Sequence, residues 1–158
     1  MSGAGAATGG PPPDWRPPYA YVPGRSPRHP EGLFDPIRQG LAHDRLERSA
    51  AWAFGLAFLR EGYFWEAHEV LEAVWMACPP NGPERLLVQG IVQIANARLK
   101  LRMGRPRAAA RLDAIAEGLV AEAFRRSPPP ILSLGPAEVR ALRDPESWAG
   151  QGARDDAL

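Results

Sequence analysis

His68 and Glu72 are separated by one helical turn in the segment FWEAHEVLEAVW. An imidazole next to a carboxylate can act as an acid and base, and together with Glu69 the two side chains can hold a divalent metal ion. The segment lacks the second histidine of the HExxH zinc motif. We therefore expect no metal and no cofactor, with metal binding or hydrolase-like catalysis by His68 and Glu72 as the alternative hypothesis.

A polar stripe follows one face of a later, mostly apolar helix. It consists of Gln89, Gln93, Asn96 and Lys100. If this stripe faces the helix that carries His68, its amides can satisfy His68 and Glu72 in a buried network. Arg85, at the start of the same helix, is the predicted partner of Glu72. Such a network is typical of a polar core that fixes the register of two helices.

The remaining titratable side chains are expected to have structural or solvent-exposed roles. Glu66 and Glu69 point away from the apolar stripe of their helix, which predicts two exposed carboxylates. His29 and His43 have no spacing that completes a site with the other candidates. Cys78 is the only cysteine, which excludes an intramolecular disulfide and a four-cysteine zinc site. We expect it to be a small side chain near a helix end.

A cluster of basic residues surrounds one predicted turn between helices. Its members are Arg98, Lys100, Arg102, Arg105, Arg107 and Arg111. No aromatic residue interleaves the cluster to stack on bases, and the formal net charge is only +1, so we expect no nucleic-acid partner. The chain has no apolar run of about 18 residues and its start lacks a secretory-signal pattern, which predicts a cytoplasmic protein with no membrane partner.

Helical periodicity positions these residues. Apolar side chains recur every three or four residues, and glycine and proline punctuate the pattern. The predicted helices cover residues 35–61, 63–77, 83–103 and 106–126, with a short helix at 136–143. Short connections favour antiparallel neighbours. We therefore predict an all-α fold, a compact bundle of four main helices plus one or two short helices.

The composition divides the chain into three parts. Residues 1–34 form a Pro/Gly-rich arm that we expect to be disordered or extended, because it has few apolar side chains. Tyr19, Tyr21 and Val22 can still dock on the domain as an extended segment. The helical domain spans residues 35–145, and residues 146–158 are predicted to form a flexible tail.

Two segments of the chain resemble a known family. FLREGYFWEAHEVLEAVW and the later LLVQGIVQIANARLKLRMGRPRAAARL are similar to the prokaryotic family of domain of unknown function 309, whose pattern joins an F-x-E-A-H-E-x-L-E-x-x-W helix to a Q-G-x-x-Q helix. The family's signature positions correspond here to Gly62, Tyr63, Glu66, His68, Glu69, Glu72, Trp75, Gln89, Gly90, Gln93, Gly104 and Ala108. The resemblance implies a helical bundle and no assigned activity.

Two positions depart from that family pattern. Lys100 stands where many members have a histidine, and Arg105 follows Gly104 where they have an asparagine. These changes weaken any mechanism that needs a second histidine. A signature rich in glycine and tryptophan is also what close helix packing requires, with Gly90 permitting a close approach and Trp75 filling the core.

The sequence shows no complete catalytic set. We therefore predict a small uncharacterised helical protein that binds a partner protein or forms a homo-oligomer. In this hypothesis His68, Glu72, Gln89 and Gln93 form a structural polar core. The alternative is an enzyme or metal binder that uses a pocket between the helices carrying His68 and Gln89.

Overall fold

The computed structural model describes residues 10–41 and 43–144 of the 158-residue chain. Its helices are α1 (Asp35–Arg38), a 3₁₀ helix (His43–Arg48), α2 (Ala50–Arg60), α3 (Phe64–Ala77), α4 (Pro83–Arg102), α5 (Pro106–Arg126) and α6 (Pro136–Arg143). Within the described residues the extended pairing is a single isolated bridge between Ile131 and Leu134. The predicted all-α fold is confirmed.

The helix predicted over residues 35–61 is wrong, because the chain breaks it into three pieces. Gly40 has a φ of 77°, a conformation that ends α1. Ser49 is extended at ψ 150° and its side chain accepts a hydrogen bond from the Trp52 N–H, so it caps a new helix. The apolar period continues through the break because Ile37 and Leu46 reach the same core.

The later helices begin and end close to the positions that the prolines and the apolar periodicity predicted. α3 ends one residue before Cys78, and the chain then passes through Pro79 and Pro80. α4, α5 and α6 each begin with a proline in the first helical turn, where the missing N–H costs nothing. The bounds of these four helices differ from the predicted ones by at most one residue.

Each main helix packs against the next one along the chain. α2 contacts α3, α3 contacts α4, and α4 lies along α5, while α6 packs on α4. A Cβ at Gly90 would lie 2.8 Å from Val120 Cγ2 and 3.3 Å from the Ala116 carbonyl oxygen, so glycine is what lets α4 and α5 approach. α4 therefore lies between α3 and α5, with its polar stripe on the α3 side.

Residues 10–34, which we call the arm, contain no helix and lie against the bundle. Val22 is fully buried, and Trp15 packs edge-on against Phe54 of α2. Arg16 forms an ion pair of 2.8 Å with Glu61 at the end of α2. The arm therefore has apolar and polar contacts with the helices over its described length.

Candidate functional site

His68 lies between two carboxylates of α3, Glu72 beside the cavity toward α4 and Glu69 toward the arm. The Nε2 atom of His68 lies 3.1 Å from Glu72 Oε2, and its Nδ1 atom lies 3.5 Å from Glu69 Oε2. The side chains of His68 and Glu72 are 23% and 51% exposed. The cluster is therefore half-exposed, in contrast to the buried network expected from the sequence.

A small cavity of about 170 Å³ lies between α3 and α4. Its walls are formed by His68, Glu72, Trp75, Gln89, Val92, Gln93 and Asn96. The structure thus brings His68, Glu72 and three members of the polar stripe together, while Lys100 does not line this cavity. Among the described residues, no hydrogen bond joins the stripe amides to His68 or Glu72.

Two buried polar atoms on the residues around this cavity have no partner in the described part of the chain. They are the indole Nε1 of Trp75 and the amide Oε1 of Gln93. The indole N–H is a donor and the amide oxygen is an acceptor. Leaving such a group unsatisfied costs about 1–3 kcal/mol, so a polar group that both accepts and donates would bind favourably at this cavity.

Arg85 does not pair with Glu72, and that prediction is wrong. Its Nη1 atom donates to the Cys78 carbonyl oxygen at 3.2 Å, and its guanidinium lies 4.4 Å from the centre of the Trp75 ring. The carbonyls at the end of α3 attract a cation, and the face of an indole does the same. Arg85 therefore fixes the orientation of Trp75 instead of neutralising Glu72.

Cys78 lies at the C-terminal cap of α3, near a helix end as expected, and it is buried. Burial raises the pKa of its thiol to about 11, and the nearby Glu84 carboxylate adds to this, whereas Arg85 opposes it. A thiol with so high a pKa is almost entirely protonated at neutral pH and is a weak nucleophile.

Glu66 is completely buried, so the prediction of an exposed carboxylate is wrong. Its Oε2 atom accepts the Tyr21 backbone N–H at 2.7 Å and lies 2.7 Å from Nε2 of His29. Burial raises the pKa of Glu66, and these two hydrogen bonds from the arm oppose the rise. Helical spacing could not reveal this pair, because both partners of Glu66 lie in the non-periodic arm.

Glu69 is half-buried and is shared between two neighbours. Its Oε1 atom accepts a hydrogen bond of 3.0 Å from Arg38 Nη2, and its Oε2 atom is the one that faces His68. His68, Glu69 and Glu72 each offer one atom that could ligate a metal, and these three atoms lie within 4.8 Å of one another. This arrangement is the geometric basis for the metal hypothesis.

The basic cluster predicted around the turn between α4 and α5 is partly used inside the protein. Arg98 is buried and donates to Asp113 at 3.3 Å and to the Arg143 carbonyl oxygen at 2.9 Å. Arg102 stacks over the Phe64 ring, with 4.2 Å to its centre. Two of the six cations are therefore not directed at a polyanion. The side chain of His43 lies outside the described residues.

Comparison with known proteins matched one stretch of the chain to a family model. The family model described as Domain of unknown function (DUF309) matches residues 52–112, which confirms the resemblance read from the sequence. No curated protein and no solved structure matched the chain. The matched segment contains α3 and α4 with the whole cavity between them, whereas the arm and His29 lie before it. In the described residues, no helix is long and apolar enough to cross a membrane.

Proposed function

We propose that this protein is a binding module whose cavity between α3 and α4 receives a small polar ligand or a polar side chain. The observation that supports the proposal is the unpartnered donor of Trp75 and the unpartnered acceptor of Gln93, both buried on residues that line the cavity. An occupant that accepts from the indole and donates to the amide oxygen would remove both desolvation costs.

The size of the cavity limits its occupant. Drug-sized and cofactor-sized ligands need roughly 300–1,000 Å³, whereas this cavity has about 170 Å³. A water molecule takes about 30 Å³ of liquid volume. The ligand is therefore a few non-hydrogen atoms, such as a primary amide, an alcohol or an amino-acid group. In a complex, such a group could belong to a partner protein or to a second copy of this chain.

The titratable groups favour binding over catalysis. The titratable side chains lining the cavity are His68 and Glu72. A carboxylate lies close to each ring nitrogen of His68, so both nitrogens already have a neighbour on α3 itself. None of the lining residues is a serine, a cysteine or a lysine that could act as a nucleophile.

The indole resonance of Trp75 provides a direct test. In ¹H–¹⁵N spectra of the full chain, acetamide, glycine and acetate are titrated as probes, and the Trp75 signal is assigned with Trp75→Phe. We expect a saturable downfield shift for at least acetamide, because its carbonyl can accept from Nε1–H and its amide can donate to Gln93. Trp52, whose indole already donates to the Leu132 carbonyl oxygen at 3.1 Å, is the internal control and should not shift.

Gln93→Leu is the matched variant for this test. It removes the unpartnered acceptor, so we expect loss of acetamide binding and a free energy of unfolding that is unchanged or about 1 kcal/mol higher. The proposal fails if no probe shifts the Trp75 signal, or if Gln93→Leu binds acetamide as the wild type does.

A divalent metal ion is the second candidate occupant, since His68, Glu69 and Glu72 can converge on one ion. It ranks second because the two carboxylates meet different nitrogens of the ring, so one side chain must rotate for all three to bind. A metal-assisted or acid–base hydrolase would use the same His68 and Glu72.

The test of the metal hypothesis is elemental analysis of the purified protein with thermal unfolding in the presence and absence of a chelator. Stoichiometric zinc or manganese that is lost in Glu72→Gln, with a midpoint lowered by the chelator, supports a metal site. Glu117→Gln on α5, whose side chain is 71% exposed, is the control and should keep the metal. Metal-free protein whose midpoint is unchanged by added zinc or manganese contradicts it.

A further inference from the structure

A second and larger cavity lies on a neighbouring face of α3, where the arm contacts it. It has about 490 Å³ and is enclosed by residues 28–34 of the arm, by Arg38, and by Trp65 and Glu69 of α3. This volume lies within the roughly 300–1,000 Å³ typical of sites for small organic molecules. We call it the arm cavity.

A buried histidine with one unused nitrogen lines the arm cavity. The side chain of His29 is 1% exposed, and its Nε2 atom lies 2.7 Å from Glu66 Oε2. The ring of Tyr19 stacks on it at 4.5 Å between centroids, which fixes the orientation of the imidazole. Its Nδ1 atom is buried and has no hydrogen-bond partner among the described residues. His29, a lining residue, therefore carries one polar atom that the described part of the protein does not use.

The two arginines that line the arm cavity differ in whether they already have an ion-pair partner. Arg38 is held by Asp35 at 3.2 Å and by Glu69 at 3.0 Å. Arg28 is exposed and has no ion pair with any described residue, while Glu31 contributes one carboxylate to the same lining. Arg28 is therefore the cation that can bind an anionic group without breaking an existing pair.

Two aromatic side chains form the apolar part of the lining. The rings of Phe34 and Trp65 lie 6.3 Å apart at an angle of 55°. Trp65 is only half-buried in the described structure, so part of its surface is left for a ligand. A planar ring that packs against an indole gains more than its buried area alone.

We propose that the arm cavity binds a small aromatic carboxylate. The carboxylate accepts hydrogen bonds from the Arg28 guanidinium and from Nδ1–H of His29, while Nε2 of the same ring keeps its 2.7 Å hydrogen bond with Glu66. The aromatic ring of the ligand packs against Trp65. The arm cavity and the cavity between α3 and α4 share no lining residue.

The probe for this proposal is benzoate, titrated calorimetrically into the full chain, with benzamide and cyclohexanecarboxylate as matched comparisons. Benzamide lacks the charge and cyclohexanecarboxylate lacks the planar ring, so we expect both to bind more weakly. In ¹H–¹⁵N spectra, benzoate should shift the indole signal of Trp65 and leave that of Trp75 in place.

Two variants test the polar contacts. Arg28→Gln should weaken benzoate binding about tenfold, because a charge-assisted hydrogen bond is lost. Arg25→Gln, an exposed arginine of the arm outside the cavity, is the control and should bind as the wild type does. His29→Gln keeps a donor for Glu66 but removes the Nδ1 contact, so it should also weaken binding about tenfold.

Clear outcomes would overturn the proposal. One is the absence of measurable benzoate binding. Another is an affinity for benzamide or for cyclohexanecarboxylate that equals the affinity for benzoate. A third is an equal loss of benzoate affinity in Arg28→Gln and Arg25→Gln. A benzoate shift at Trp75 in place of Trp65 would also overturn it. If His29→Gln detaches the arm, limited proteolysis will reveal this. The comparison of Arg28→Gln with Arg25→Gln then tests the proposal by itself.

Discussion

α3 carries two histidine–glutamate pairs that share their chemistry and differ in their surroundings. His68 and Glu72 are one turn apart on the same helix, at 3.1 Å, with side chains 23% and 51% exposed. His29 and Glu66 are 37 residues apart in sequence, at 2.7 Å, with side chains 1% and 0% exposed. The first pair borders a cavity, whereas the second attaches the arm to the bundle.

The difference shows how burial sets the energy of the same contact. An exposed ion pair gains little because water and salt screen it, typically up to about 1 kcal/mol. In a buried pair, removal of one partner leaves the other desolvated and unpaired, which costs about 3–5 kcal/mol. The effects expected from substitutions in the two pairs therefore differ several-fold, and the following predictions test that difference.

The largest effect is expected for Glu66→Ala. It leaves His29 and the Tyr21 N–H buried without their shared acceptor, so the free energy of unfolding should fall by about 3 kcal/mol in urea titrations. Glu66→Gln is the matched control, because its amide oxygen can still accept from both groups. Its free energy of unfolding should fall much less than that of Glu66→Ala. Equal losses for the two variants would mean that side-chain volume, not hydrogen bonding, sets the effect.

The next largest effect is expected for His29→Ala. Glu66 keeps the hydrogen bond from the Tyr21 N–H but loses its second donor, so we expect the free energy of unfolding to fall by about 2 kcal/mol. The arm should also open more often, which predicts faster tryptic cleavage after Arg25 and Arg28. His68→Ala should leave that cleavage rate unchanged, and a similar acceleration in both variants would show that the arm is not held by the buried pair.

The pH dependence of stability should reveal the raised pKa of Glu66. Burial raises the pKa of Glu66 above its usual 4.5, so the folded protein holds that proton at a pH where the unfolded chain has released it. The contribution of protonated Glu66 is complete below the unfolded pKa and is lost as the pH rises through the folded pKa. The free energy of unfolding should therefore fall with rising pH over this window.

The measurement for this prediction is urea unfolding at intervals from about pH 4 to about pH 7. The difference between wild type and Glu66→Gln isolates the Glu66 contribution, which should decline as the pH increases. A difference for Glu66→Gln that rises with pH would reverse the sign and contradict a pKa raised by burial.

The smallest effect is expected for Glu72→Ala. Its half-exposed contact with His68 is screened by solvent, so the free energy of unfolding should change by less than about 1 kcal/mol. Added salt should reduce that change further. A loss as large as that of Glu66→Ala would show that the cavity between α3 and α4 is part of the structural core.

The site was only half predictable from sequence. The His68–Glu72 contact follows from the helical repeat, and the placement of Gln89 and Gln93 opposite them follows from the periodicity of α4. The role of Arg85 did not follow, because an arginine at a helix start can reach several acceptors and the Cys78 carbonyl and Trp75 ring compete with Glu72.

The sequence by itself determined the helices α3 to α6, because proline positions and apolar periodicity act over a few residues. It also determined the need for glycine at position 90, although only packing identified Val120 as the reason. The break at Gly40 was missed because the residues on both sides face one core and keep the repeat intact.

Only the tertiary structure decided the role of Glu66. On its own helix this residue points away from the apolar stripe, and whether that direction is water or protein depends on where the arm lies. The arm has no repeat from which its path could be inferred, and its contacts with α3 span 37 and 45 positions of sequence. Burial of a carboxylate by such a segment is a long-range property, so it is fixed by packing and not by local spacing.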